Sequence, residues 1–182
     1  MTSDEELLAA ALHGDEAAFT ALYRRRQSAV YRFALHMSGD AAVSEDVTQE
    51  VFLALLESGS RFDPARGTLL SFLYGIARNL LLRRLEKQRP VDSDTLTEEL
   101  AADDDVLDEL TRRETIEAVR SAVLSLPAPY REAVVLCDLE NASYEDAAAA
   151  LECPVGTVRS RLSRGRAMLG QKLAVKTVRS MS

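Results

Sequence analysis

An all-α fold is predicted, as two small helical domains joined by an acidic linker, the C-terminal one carrying a helix-turn-helix. Three observations lead there. No stretch alternates apolar and polar residues with period two for long enough to make a strand. Apolar residues recur instead at helical spacing through most of the chain. Between two such regions lies a segment of one charge sign and low hydrophobicity. The domains are read as 1–90 and 111–182, with the linker at 91–110.

Residues 4–12 (DEELLAAAL) form a short amphipathic helix, which Gly14 and Asp15 break. A second helix runs from Asp15 to about Met37, with Phe19, Leu22, Tyr23, Val30, Phe33, Ala34 and Met37 on its apolar side and Arg24, Arg25, Arg26 and Arg32 decorating it. Ser38-Gly39-Asp40 ends it. A third helix spans about Asp40–Glu57. Val43, Val47, Val51 and Leu55 line one face, broadened by Phe52 and Leu56, while Glu45, Asp46, Gln49 and Glu50 lie toward the other. Residues 60–67 (SRFDPARG) are a loop by their Pro and Gly. A long helix follows over about Thr68–Gln88. Its apolar stripe is Leu69, Phe72, Leu73, Ile76, Leu80 and Leu81; its polar stripe is Arg78, Asn79, Arg83, Arg84 and Lys87. Arg89-Pro90 stops it.

The net charge of −7 is unexpected for a partner of nucleic acid, but its distribution explains it. Residues 92–109 hold nine acids and no Lys or Arg, so without them −7 becomes +2. Residues 153–182 hold seven bases and no acid. A phosphate backbone responds to local fields, so the basic end matters more than the total.

After the linker, helical pattern returns over about Arg112–Ser125, breaks at Leu126-Pro-Ala-Pro129, and resumes over Tyr130–Leu139. Ser143-Tyr-Glu-Asp146 is a capped start, a Ser N-cap with acids in the first turn. Tyr144–Leu151 is a short Ala-rich helix, and Glu152 and Cys153 make a tight turn. Pro154 suits the first position of the next helix. Wound at 100° per residue, Val155, Val158 and Leu162 share one face, continued by Leu169 and Leu173. Thr157, Ser160 and Arg164 share the opposite one, with Arg161 and Ser163 at its edges. Arg159 and Arg166 flank the apolar stripe, where long side chains snorkel outward. Helix, turn and basic second helix make a helix-turn-helix. Its outer face suits a DNA major groove, since arginine pairs bidentately with guanine and hydroxyls fit either base edge.

Other classes find little support. No nucleophile–base pair, HExxH, phosphate loop or clustered ligand set is present, so neither an enzyme nor a cofactor is expected. Cys137 and Cys153 form no CxxC and read as free thiols. No apolar run reaches membrane-spanning length, and MTSDEELLAA has acids where a signal peptide carries positive charge, so a cytoplasmic protein is expected. An operator-binding regulator would share the helix-turn-helix, but would usually dimerise on a palindrome. A regulator-binding adaptor would not need the arginines of the second helix.

Three blocks carry a resemblance. EDVTQEVFLALLE (45–57), SFLYGIARNLLLRRLEK (71–87) and LSLPAPYREAVVLCDLENASYEDAAAALECPVGTVRSRLSRGR (124–166) resemble, in order, three parts of the sigma-70 family of bacterial transcription initiation factors, in its small extracytoplasmic-function group. These parts are the polymerase-binding helix, the promoter-melting helix and the C-terminal DNA-reading domain. The resemblance covers about residues 15–90 and 112–173. It implies that Asp46, Gln49, Glu50 and Phe52 contact the clamp helices of the β′ subunit of RNA polymerase core. It implies that Arg61, Phe62, Arg78, Asn79, Arg83, Arg84 and Lys87 recognise and open the minus-ten element, Phe62 or a neighbour walling a pocket for an unstacked base. It places Ser160, Ser163 and Arg164 near base edges of the minus-thirty-five element, and Thr157, Arg159, Arg161 and Arg166 on phosphates. An anti-sigma partner and a monomeric free state are implied too. The linker reads as a nucleic-acid mimic or a solubilising tether. The family often carries Trp near the end of the polymerase-binding helix and at the start of the melting helix; Leu56 and Phe72 stand there instead.

Overall fold

In the computed structural model the described residues are 2–87 and 107–180, with side chains described over 2–87 and 112–174. Most of the acidic linker predicted at 91–110 lies outside them. The N-terminal unit contains α1 (Asp4–Leu12), α2 (Glu16–Ser38), α3 (Ala41–Ser58) and α4 (Leu69–Lys87). The C-terminal unit contains α5 (Leu107–Leu124), α6 (Ala128–Val134), α7 (Tyr144–Leu151) and α8 (Val155–Ser180). No strand occurs among the described residues.

The helices start where capping chemistry places them. Ser3 and Glu6 form a reciprocal capping box at α1. Asp15 accepts from the Ala17 and Ala18 N–H groups at α2, and Asp40 from that of Val43 at α3. Gly39 ends α2 in the left-handed region at φ 72°, where a Cβ would be strained. The loop at 60–67 is tighter than predicted: two 3-10 turns, Gly59–Arg61 and Pro64–Arg66, fold it back onto the body.

Several boundaries differ from the prediction, which set no end for the last helix. Helix α5 begins at Leu107, inside the predicted linker, because Leu107 and Leu110 already carry the helical pattern. Helix α8 runs on to Ser180, no acid or proline interrupting its last turns. Pro154 lies just before α8, its carbonyl accepting from the Thr157 and Val158 N–H groups. After α6 the chain widens into a π turn over Val135–Leu139.

One apolar core joins the two units. Phe33, Leu22, Leu55 and Leu73 of the N-terminal unit belong to the same cluster as Val135, Leu136, Leu151 and Val158 of the C-terminal one. Helix α7 lies along α4, and α5 packs on α2. A smaller cluster of Leu126, Ala133, Val134 and Leu162 ties α6 to α8.

Candidate nucleic-acid and polymerase interfaces

The helix-turn-helix is built as the sequence predicts. Ser143 accepts from the Asp146 N–H at 3.0 Å and starts α7. Leu151 and three alanines of α7 are buried. Glu152 turns the chain at φ 50°, a left-handed conformation unusual for a side chain of its kind. In α8, Val158 and Leu162 are fully buried, with Met168, Leu169 and Leu173 half-buried.

The opposite face of α8 is open: Arg159, Ser160, Ser163, Arg164 and Arg166 are exposed, Thr157 and Arg161 half-buried. The arginines differ in what holds them. Arg166 donates to both oxygens of Asp138, from Nε at 3.0 Å and from Nη2 at 2.6 Å. This hydrogen bonding, then the Asp138 charge, raises its already high pKa. The Arg159 guanidinium lies 5.5 Å over the Tyr144 ring. Among the described residues no ion pair holds Arg161 or Arg164. Asp138 was not singled out in the sequence; its position 28 residues upstream leaves no local signal.

Gly165 is a second feature missed. A Cβ there would stand 2.7 Å from Val134 Cγ2 and 3.2 Å from the Tyr130 carbonyl oxygen, so only glycine allows this approach of α8 to α6.

On α3 the structure corrects one expectation. Phe52 is 2% exposed, in an aromatic cluster with Tyr23 (centroids 4.7 Å apart) and Phe19 (6.4 Å). Its ring cannot be the anchor offered to a partner. Ser44, Thr48 and Phe52, spaced i, i+4, i+8, face the body together. The two hydroxyls are satisfied there by donating to the Asp40 and Ser44 carbonyls, at 2.6 and 2.7 Å. The large exposed apolar residues of this helix are Leu53, at 61%, and Leu56, at 41%. Leu56 thus leaves the stripe it was assigned to. Leu53 is one turn from Gln49, a spacing visible in the sequence. Asp46 and Gln49 are exposed and Glu50 half-buried. Gln49 and Glu45 also line an open cleft of about 390 Å³ between α2 and α3, shared with Tyr23, Tyr31 and Arg32.

Helix α4 divides its polar residues. Asn79, Arg83 and Lys87 are exposed. Arg84 instead pairs with Glu50 of α3 and stands 3.9 Å from Asp46. A predicted DNA contact and two predicted polymerase contacts therefore hold one another. Arg78 is taken as well, its Nε donating to Glu132 of α6 at 2.8 Å. Arg61 is exposed, whereas Phe62 is half-buried, packed on Phe72 with ring centroids 5.7 Å apart. Phe72, where the family often has Trp, helps seat the loop. Of the two cysteines, both half-buried free thiols, Cys137 has its pKa raised by burial, then by Asp138. The described residues contain no group of three or more His, Cys, Asp or Glu side chains able to hold a metal. None of their helices is long and apolar enough to cross a membrane.

The chain is thus two all-α units, one exposing an acid-rich helix with leucines and the other a basic helix-turn-helix. Sequence comparison gives the family. Sigma-70 region 2 matches residues 22–91 and Sigma-70, region 4 matches 116–169. Over 168 residues the chain is 36% identical to ECF RNA polymerase sigma factor SigE of Mycolicibacterium smegmatis, covering 88% of this chain and 65% of that relative. It is 33% identical to RNA polymerase sigma-H factor of Pseudomonas aeruginosa, covering 93% of each. The fold is similar to CnrH in complex with the cytosolic domain of CnrY, with TM-score 0.73 and 27% identity over 96% of this chain and 99% of that one. It is also similar to the sigma factor RpoE in complex with the anti-sigma factor NepR from Bartonella quintana, with TM-score 0.65 and 26% identity over 86% and 97%. The chain belongs to the extracytoplasmic-function group of the sigma-70 family, the sigma factors of transcription initiation.

Proposed function

We propose that this sigma factor docks on RNA polymerase core through α3 and reads a promoter through two separate surfaces. Asp46, Gln49 and Glu50 supply carboxylates and an amide, and Leu53 and Leu56 supply the apolar anchors, for the clamp helices of β′. An apolar centre rimmed by polar groups is the usual anatomy of such a contact. Arg61, Asn79, Arg83 and Lys87 then track the minus-ten strands, and Arg78 and Arg84 join them once released from their carboxylates. Phe62 supports the loop that receives an unstacked base. Helix α8 enters the major groove of the minus-thirty-five element, with Arg164, Ser160 and Ser163 toward bases and Thr157, Arg159, Arg161 and Arg166 toward phosphates. The working boundaries are 1–90, 91–110 and 111–182. The protein acts in the cytoplasm, as a monomer when free, and an anti-sigma factor restrains it, as NepR partners RpoE. It adds specificity to the polymerase and performs no chemistry of its own.

The observation that carries this reading is the split of α8, one face buried to zero exposure at Val158 and Leu162 and the other presenting four arginines and three hydroxyls. Run-off transcription with purified core, with and without the protein, on sheared genomic DNA from its source tests it. Discrete transcripts that need both components are expected, and their start sites give both promoter elements. Tight DNA binding with no binding to core would turn the reading into an operator-binding regulator.

A further inference from the structure

Asp138 stands where an acid should harm the function proposed above. It touches α8, a helix that contains no acid and offers its arginines to DNA. A negative charge there repels phosphates. The carboxylate is spent on Arg166: one oxygen accepts from Nε at 3.0 Å and the other from Nη2 at 2.6 Å. A planar guanidinium donates along more than one edge. Asp138 takes the edge formed by Nε and Nη2. The end edge, formed by Nη1 and the second hydrogen of Nη2, meets no acceptor among the described residues, and Arg166 is exposed.

We propose that Asp138 is a positioning residue for promoter binding: it holds Arg166 by one edge of the guanidinium so that the other edge meets a DNA phosphate. The inference deepens the reading of α8 as the minus-thirty-five helix and rests on it.

The fold fixes both members of the pair. Gly165, next to Arg166 in the chain, brings α8 so near α6 that a Cβ would stand 2.7 Å from Val134 Cγ2. That contact sets the backbone of Arg166. On the other side is the π turn over Val135–Leu139, closed by the Glu140 N–H donating to the Val135 carbonyl at 2.9 Å. It carries Asp138 to α8 and, two residues on, Glu140 to Arg32 of α2 and Tyr74 of α4. Widened turns of this kind recur at functional sites. Stability does not explain the pair. The Arg166 side chain is 54% exposed and that of Asp138 31%, and exposed ion pairs contribute little. Val158 and Leu162, fully buried, already tie α8 down. What a two-pronged grip does supply is a fixed direction. A mobile arginine loses rotamer freedom when it binds a phosphate, whereas one already gripped has lost it on folding. Arg159 offers a parallel. Seven residues earlier, it stands on the same edge of α8 about 10 Å away, and it too is supported from outside the helix, by the Tyr144 ring at 5.5 Å.

The test uses holoenzyme assembled from core and the full-length protein, on a duplex carrying a promoter mapped by the run-off experiment, with affinity read at several salt concentrations. R166A should weaken binding about tenfold and lower the salt slope by about one phosphate. D138N removes a negative charge, so plain repulsion demands tighter binding. Positioning demands the reverse: D138N should weaken binding about threefold or more and lower the salt slope in the same sense. In the R166A background the same change should cost less than about twofold, because its target is gone. D138E keeps a carboxylate that can grip and should recover most of the loss. Binding by D138N as tight as wild type, or tighter, would overturn the inference, as would an equal loss with and without Arg166. Should D138N lose its helical circular dichroism, R166K decides instead. Lysine keeps the charge but has no second edge to present once Asp138 holds it, so it should bind within about twofold of R166A; wild-type affinity for R166K would overturn the inference. A harmful R166A beside a harmless D138N sinks the inference alone. A harmless R166A sinks the phosphate role of Arg166 and the inference with it, and a wild-type holoenzyme that ignores the promoter sinks the reading of α8 itself.

Discussion

Neighbouring residues on α3 have opposite duties, and a pair of substitutions separates them. Phe52 fills an aromatic pocket with Tyr23 and Phe19, so Phe52→Ala should cost about 3–5 kcal/mol of stability in a denaturant titration. Leu53 packs on nothing that its 61% exposure would leave short, so Leu53→Ala should stay within about 0.5 kcal/mol in the same titration. It should instead weaken capture by core several-fold, read by a pull-down or fluorescence anisotropy. The opposite pattern would return the anchor role to Phe52. At Gly165 the clash with buried Val134 and the Tyr130 carbonyl outweighs the helix propensity that alanine adds, so Gly165→Ala should lower stability by about 1–3 kcal/mol.

The elements divide their labour by which face is buried. In α8 the residues facing α6 and α7 fix the height of the helix, and the outer arginines are then graded by their partners. Arg164 has no acidic partner among the described residues, and its loss should affect one promoter sequence selectively, by about 1–3 kcal/mol per base contact. Arg166 is held by Asp138, and the proposed reading turns it toward a phosphate rather than a base. Arg166→Ala should weaken all promoters alike and flatten the salt dependence of binding by about one phosphate. Electrophoretic shifts against matched and mismatched minus-thirty-five sequences at several salt concentrations distinguish the two. Equal losses on every sequence for both variants would sink the assignment. The helices themselves, the Ser143 cap and the split of α8 were legible, because periodicity and capping are local. Phe52 was read two ways, broadening the apolar face by its spacing and offered to a partner by the resemblance, and only the first holds. Its Ser44–Thr48–Phe52 row reads as polar until the hydroxyls are seen to bond one turn back.

At the scale of the whole molecule, the two units meet around Glu140, and His36 of α2 lies 3.9 Å from it. Burial, ahead of the opposing pull of Glu140, holds the His36 pKa below its ordinary 6.5, and Arg120 and Arg32 push the same way. A lowered histidine binds its proton less readily when folded than when unfolded. The stability it contributes is full above about pH 6.5 and declines as pH falls through that value. Thermal melts should therefore show a falling midpoint between pH 7.5 and 5.5, and His36→Gln should flatten that slope. Asp146 acts only in more acid solution: burial opposes its ionisation, but hydrogen bonds from Ser71, Ser143 and Thr68 outweigh this and lower its pKa. Its share of stability is lost below the ordinary carboxylate range, outside the window of the His36 test.

By itself the sequence determined the all-α class, nearly every helix, the helix-turn-helix with its exposed face, and the resemblance that names the family. All of these depend on neighbours within a few turns, where spacing and capping carry the information. Only the tertiary structure decided how the two units pack and which charges cancel. Glu132 meets Arg78 across 54 residues, Asp146 meets Ser71 across 75 and Glu140 meets Arg32 across 108. No local pattern marks such partners. An arginine on a helix face reads the same whether it awaits a phosphate or is already held by a carboxylate, because its partner is chosen by the fold and not by its neighbours in the chain.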